Sequence, residues 1–184
     1  MFEIDISTGR LHNVRQLPSN NCHWSDQHAP LSLIVVHNIS LPAGEFGGDQ
    51  IDRLFTNCLD CTSHDDFKIL HGLHVASHVL IDRNGVVTQY VPFSQRAWHA
   101  GESCYQGRSA CNDFSVGIEL EGTDDQAYTD AQYDVLVQLI KALINNYPSL
   151  SAEHIVGHSD IAPGRKTDPG PAFDWARLRA SLQN

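Results

Sequence analysis

Two histidines, an aspartate and a glutamate in this chain are of the types, and at the kinds of positions, that can hold and use a metal ion. His37 ends the apolar run LIVVH (residues 33–37) and is followed by Asn38. A histidine that closes a buried strand is expected at the sheet rim. The segment GHSDIAPGRKTDPG (residues 157–170) opens with His158 after a short strand-like stretch and carries Asp168 ten residues later. Pro163 and Pro169 stiffen the loop between them and Gly164 bends it. Two imidazoles and one carboxylate around an ion leave a fourth tetrahedral position for water, the pattern of a catalytic zinc. In FSVGIELEG, period-2 alternation puts Glu119 and Glu121 on one face of a strand. A carboxylate beside a metal-activated water can serve as general base. Each of these positions also has a plainer reading: a rim histidine, a polar surface loop, a strand face of solvated acids.

A second group, Cys58-x-x-Cys61 with His71-x-x-His74, imitates a structural zinc site. Its gap and its histidine spacing both miss the finger pattern, and Cys58 is expected on the apolar face of a helix.

The elements that must position these residues alternate between strand and helix. Residues 33–37 read as a buried strand and 42–48 as a Gly-rich loop. Asp49 can cap a helix carrying Ile51, Leu54, Phe55 and Cys58. Residues 77–81 and 86–91 flank Asp82-Arg83-Asn84-Gly85, and Asn-Gly between apolar runs predicts a hairpin. Residues 114–120 form another strand. Thr129-x-x-Gln132 resembles a capping box ahead of the stripe Tyr133, Leu136, Leu139, Ile140, Leu143, Ile144, in a helix that must stop before Pro148. Residues 154–157 are strand-like, 159–171 a polar Pro/Gly-rich segment, and 174–182 a last helix. The expected class is α/β: one domain over residues 1–184, with a central mixed β-sheet flanked by helices and ligands at the strand ends.

Composition narrows the function. With 184 residues and 41% hydrophobic content the chain suits one globular core. Lys and Arg number 12 against 22 Asp and Glu, a formal charge of −10. There is no basic footprint, so neither nucleic acid nor an anionic membrane is an expected partner. The start MFEIDISTGR has no basic stretch ahead of an apolar one, and no apolar run approaches the roughly 18 residues of a membrane span. Five cysteines, an odd number, favour reduced thiols. The expected location is the cytoplasm, and nothing calls for more than a monomer.

The stretches VVHNISLPAGEFGG, YVPFSQRAWHAGES, CNDFSVGIELEGTD, YTDAQY and GHSDIAPGRKTDPGPAFDW make the chain recognisable. It resembles the 1,6-anhydro-N-acetylmuramyl-L-alanine amidases of the AmpD type, within the fold family of peptidoglycan recognition proteins and phage amidases. The likeness runs over about residues 33–176. It implies that His37, His158 and Asp168 hold one Zn2+ per chain, that Glu119 is the catalytic acid/base, and that Lys166 stabilises the tetrahedral oxyanion. It further implies that Asn38, Trp98 and Asn112 contact substrate. The implied substrate is a muropeptide, a 1,6-anhydro-muramyl peptide of bacterial cell-wall recycling, cut between the muramyl lactyl group and L-alanine. A link to β-lactamase induction is implied in the same way. Where the family carries arginine, this chain has His74 and Ala110, with Arg108 the nearest substitute for the second. Peptide-carboxylate recognition is therefore expected to be weaker or rearranged. A binding module without catalysis, an amidase acting on polymeric wall, and another class of zinc peptidase are the rival readings. The first lacks support because the whole ligand set is present with Glu119 and Lys166, the second because no secretory signal is seen. The third has no H-E-x-x-H helix behind it.

Overall fold

The computed structural model describes residues 2–23 and 30–183. Its centre is a six-stranded sheet made of β1 (Arg15–Gln16), β2 (Leu33–Ile39), β3 (Val79–Ile81), β4 (Val87–Gln89), β5 (Ser115–Glu121) and β6 (Ile155–Gly157). The spatial order is β6-β2-β5-β3-β4-β1. Strands β6, β2, β5 and β3 are mutually parallel, β3 and β4 form an antiparallel hairpin, and β1 lies parallel to β4. The sheet is therefore mixed, as expected. The four parallel strands all deliver their C-terminal ends to one edge, where an open α/β sheet places its ligands.

The run LIVV does not alternate because both faces of β2 are covered, as parallel sheets require. Ile34 and Val36 join Val116, Ile118 and Leu120 in a cluster under α2 (Asp130–Asn146) and α4 (Trp175–Gln183). Leu33 and Val35 turn to the opposite face and pack with Ala100, Phe114 and Ile161. Period 2 then carries His37 onto this second face. The register pairs His37 with Glu119, so Ser115, Gly117 and Glu119 of β5 share it. This face is covered by loops, by α1 (Gln50–Phe55) and by a single helical turn, α3 (His158–Ile161).

Most expected elements are present. The Thr129 hydroxyl accepts from Gln132 N at 3.1 Å and the Gln132 side chain accepts from Thr129 N at 3.1 Å, closing the capping box. Gln132 also donates to the Glu121 carbonyl at 2.9 Å, which ties α2 to β5. In the hairpin, Asp82 accepts from the backbone N–H groups of Asn84 and Val86, both at 2.8 Å.

Four local expectations differ. Strand β2 runs two residues past His37, so this histidine is 1% exposed and not at an open rim. Helix α1 stops at Phe55, Asn57 takes φ +62, and Cys58 is exposed; Asp49 makes no side-chain cap. The polar segment after β6 begins with α3, whose Ile161 is buried. Glu121 is not solvated: it is buried, and its carboxylate accepts from Gly47 N at 2.6 Å and Arg83 N at 3.1 Å, pinning two loops to the strand end. Among the described residues no helix is long and apolar enough to cross a membrane.

Candidate active site and metal centre

The loop after β6 closes on itself through its backbone. Ser159 N donates to the Asp168 carbonyl at 3.0 Å, which returns Asp168 to the position of His158 although it lies ten residues later in the chain. Close approaches hold the closure. A Cβ on Gly157 would stand 2.7 Å from Pro169 Cδ, and one on Gly170, at φ +79, would stand 2.2 Å from Asp124 Cα. Arg165 extends away from the loop, donating to the carbonyls of Ala100 and Glu102 at 2.6 Å each.

Three ligand-type atoms then meet. His37 Nδ1 lies 2.9 Å from His158 Nδ1, and each lies 3.0 Å from Asp168 Oδ2. Donor atoms about 2 Å from a tetrahedral ion stand roughly 3.3 Å apart, so the trio needs only a slight spreading to hold zinc. Among the described residues no other group of three His, Cys, Asp or Glu side chains is drawn together in this way, and the Cys58/Cys61 and His71/His74 motif makes no such cluster.

The far nitrogens of both imidazoles are occupied. His158 Nε2 is 3.1 Å from the Ala100 carbonyl, to which it can only donate, so Nδ1 is left with its lone pair. His37 Nε2 is 2.9 Å from His99 Nδ1. Burial pushes the His37 pKa down to about 4, against the hydrogen bond to Asp168 that favours the cation. A neutral imidazole is the form that ligates. For Asp168, burial acts to raise the carboxyl pKa. The contacts of its carboxylate with the His158 and His37 imidazoles outweigh it, and the net shift is downward.

Glu119 sits beside this trio at 9% exposure. Burial, then the negative charge of Asp168, raises its pKa well above that of an ordinary glutamate, and Lys166 opposes the shift. Its Oε2 has no hydrogen-bond partner in the protein. Proteins leave few buried carboxylate oxygens unpaired, and carboxyls with strongly perturbed pKa values concentrate at functional sites.

A cleft of about 320 Å³ opens above these groups. His37, His158, Asp168, Glu119 and the exposed Lys166 line its polar side, while Trp98, Leu41 and Val75 form part of an apolar wall. Trp98 is oriented by its indole N–H, which donates to His23 Nδ1 at 2.9 Å. Asn38 lies at the rim, its amide donating to Asp124 at 2.8 Å.

Seven of the eight site residues named from sequence are thus brought together. Asn112 is not. Its side-chain oxygen accepts from the backbone N–H groups of His99 and Ala100 at 3.1 and 2.8 Å, which places it behind the cleft as a brace. His74 is exposed and bonded to Asn57, and Arg108 lies over the Phe114 ring at 3.7 Å, so neither supplies a cation to the cleft. The sequence marks His99, next to Trp98, only as a supporting or structural group, without saying which residue it supports. Its signal was a histidine next to Trp98 and a glycine, Gly117, in the middle of a strand.

A cleft at the ends of the parallel strands, holding a His-His-Asp cluster of metal-ligand type and a buried glutamate, defines the class as a hydrolase-type α/β domain. The family model of N-acetylmuramoyl-L-alanine amidase matches residues 27–171, and the chain belongs to this family. The 1,6-anhydro-N-acetylmuramyl-L-alanine amidase AmpD of Citrobacter freundii is 56% identical over 177 residues, covering 95% of this chain and 93% of that protein. A crystal structure of an AmpD selenomethionine derivative superposes with a TM-score of 0.93 at 54% identity, over 98% of this chain and 99% of the other. The amidase AmiD of Escherichia coli, in complex with the substrate anhydro-N-acetylmuramic acid-L-Ala-D-gamma-Glu-L-Lys, superposes with a TM-score of 0.61 at 30% identity, over 86% of this chain and 60% of that one.

Proposed function

We propose that this chain is a zinc-dependent amidase that hydrolyses the bond between 1,6-anhydro-N-acetylmuramic acid and the L-alanine of a stem peptide. The observation that carries the reading is the convergence of His37 Nδ1, His158 Nδ1 and Asp168 Oδ2 within 3.0 Å of one another. The names and bound substrate of the relatives supply the bond that is cut. The domain is taken to span residues 1–184, to work as a monomer in the cytoplasm, and to act on muropeptides released during wall recycling. A consequence for β-lactamase induction belongs to the same reading.

His37, His158 and Asp168 are assigned as ligands of one zinc ion per chain. Bound there, zinc supplies a Lewis acid that makes water nucleophilic near neutral pH. Glu119 accepts the proton from the attacking water at its unpartnered Oε2 and delivers it to the departing alanine nitrogen. Burial raises its pKa, which favours the later delivery of the proton to the leaving nitrogen. Lys166, which lines the cleft, is assigned to the developing oxyanion, where one donor is worth about 3–4 kcal/mol of transition-state stabilisation. Trp98 offers a ring face to the sugar, and Asn38, fixed by Asp124, offers a polar contact at the rim. Asn112 acts from behind by holding the 99–100 backbone.

The test pairs elemental analysis with release of peptide from anhydro-muramyl-tripeptide before and after chelation. One zinc per chain, with activity lost to chelator and restored by zinc, is the expected result. A folded protein that binds no zinc would overturn the ligand assignment.

A further inference from the structure

His99 is buried at the floor of the cleft, and its two ring nitrogens meet His37 and Ser115. Its ring lies directly on Gly117 of β5: a Cβ there would stand 2.4 Å from His99 Cγ. The strand gives up a side chain at this position, and the space is filled by an imidazole. That imidazole spans from strand to metal cluster, Nε2 lying 3.1 Å from Ser115 Oγ and Nδ1 lying 2.9 Å from His37 Nε2.

Donor and acceptor bookkeeping fixes every proton in this chain. The Cys111 carbonyl can only accept, and Ser115 Oγ is 2.6 Å from it, so the serine hydroxyl donates there. Ser115 Oγ must then accept from His99, whose proton is on Nε2. His99 Nδ1 is thereby a bare acceptor, because a second ring proton would make a cation in a site that offers it no carboxylate. The short contact to His37 requires a proton from the other side, so His37 carries it on Nε2. Its Nδ1 is left with a lone pair directed at His158 and Asp168.

We propose that His99 is a positioning residue which, with Ser115 behind it, fixes the tautomer and ring angle of His37 so that Nδ1 is presented to the metal. The contrast with His158 supports this. There the same task falls to a main-chain carbonyl, that of Ala100, which no substitution removes. The His37 side is built from side chains, and the brace from Asn112 to the His99 and Ala100 N–H groups holds both arrangements in one segment.

The inference rests on the zinc reading above, and the experiment separates the two. In zinc-loaded wild-type protein, long-range imidazole 1H–15N correlations are expected to show His99 protonated on Nε2 and bare on Nδ1. A proton on His99 Nδ1 would overturn the proposal whatever any variant does. Zinc affinity is then measured by chelator competition in His99→Leu and His99→Asn. Leucine keeps the volume and removes the acceptor, and its affinity is expected to fall roughly 10–100-fold, the usual cost of losing a partner of a ligating histidine. Asparagine restores an acceptor oxygen near the place of Nδ1 and is expected to recover most of that loss. A folded His99→Leu protein with wild-type affinity and an unchanged His37 spectrum would sink the inference while leaving the zinc reading intact. Wild-type protein that binds no zinc would defeat both. Should His99→Leu not fold, the wild-type spectrum decides.

Discussion

Glu119 is the residue at which function and stability pull in opposite directions. Its carboxyl is buried beside Asp168 with one oxygen unpaired, and its pKa is raised for those reasons. The sign of the pH effect follows. The folded state holds this proton more tightly than the unfolded chain, so stability falls as pH rises from about 4.3, the ordinary glutamate value, through the raised folded value. Glu119→Gln removes the penalty and keeps the shape. In chelator-treated protein it is expected to melt higher than the parent at pH 7–8, by roughly 2–4 °C for each kcal/mol gained, and to match it near pH 4. The same variant is expected to retain zinc and lose about 10²–10⁴-fold in kcat, the range of general acid–base catalysis. Thermal melts across pH and a peptide-release assay check both, and a fully active Glu119→Gln would remove Glu119 from the mechanism.

At the scale of elements, the site depends on the loop between α3 and Gly170 more than on either strand. His37 is set by β2 and Glu119 by β5, whose register is locked by seven paired positions. Asp168 has no such frame. It is held by its own carbonyl on Ser159 N and by the contact of Gly170 with Asp124. Gly170→Ala is therefore expected to act at a distance. A Cβ there costs about 1–2 kcal/mol for the left-handed backbone alone and also collides with main chain. Reduced thermal stability together with weaker zinc binding is expected from calorimetry and chelator competition. Loss of stability with unaltered zinc affinity would show that Asp168 is held by something other than this contact.

For the molecule as a whole, the His37–His158–Asp168 cluster joins β2 to the β6–α3 junction and its returning loop, 121 and 131 residues further along the chain. An ion bound only by the folded state stabilises all of it by mass action, about 2.7 kcal/mol at a hundredfold excess over Kd. Chelation is expected to lower Tm by several degrees, and added zinc to raise it in proportion to the logarithm of its concentration. A melting temperature indifferent to zinc in a folded protein would contradict binding at this cluster. The same economy explains the buried Glu121, whose two backbone hydrogen bonds fasten the loops at residues 47 and 83 around the cleft edge.

Much of this was legible in the chain itself. Local physics marks its own elements: the Asn-Gly turn, the Thr129/Gln132 box and the apolar stripe of α2 each rest on neighbours within a few residues. The residues proposed to carry the chemistry, His37, Glu119, His158, Lys166 and Asp168, could also be named from type, spacing and family likeness. Other features depended on contacts between residues far apart in the chain. Period-2 alternation puts Glu121 with Glu119 but cannot say that loop N–H groups will bury it. Helical spacing reaches Cys58 on paper, yet the chain leaves the helix at Phe55 and turns at Asn57. Asn112 has the right chemistry to meet a substrate, but packing spends its oxygen on the backbone of His99 and Ala100. The chain of protons from Cys111 through Ser115 and His99 to His37 joins residues up to 78 positions apart (Ser115 to His37), and only the pairing of β2 with β5 and the glycine gap between them bring it into being.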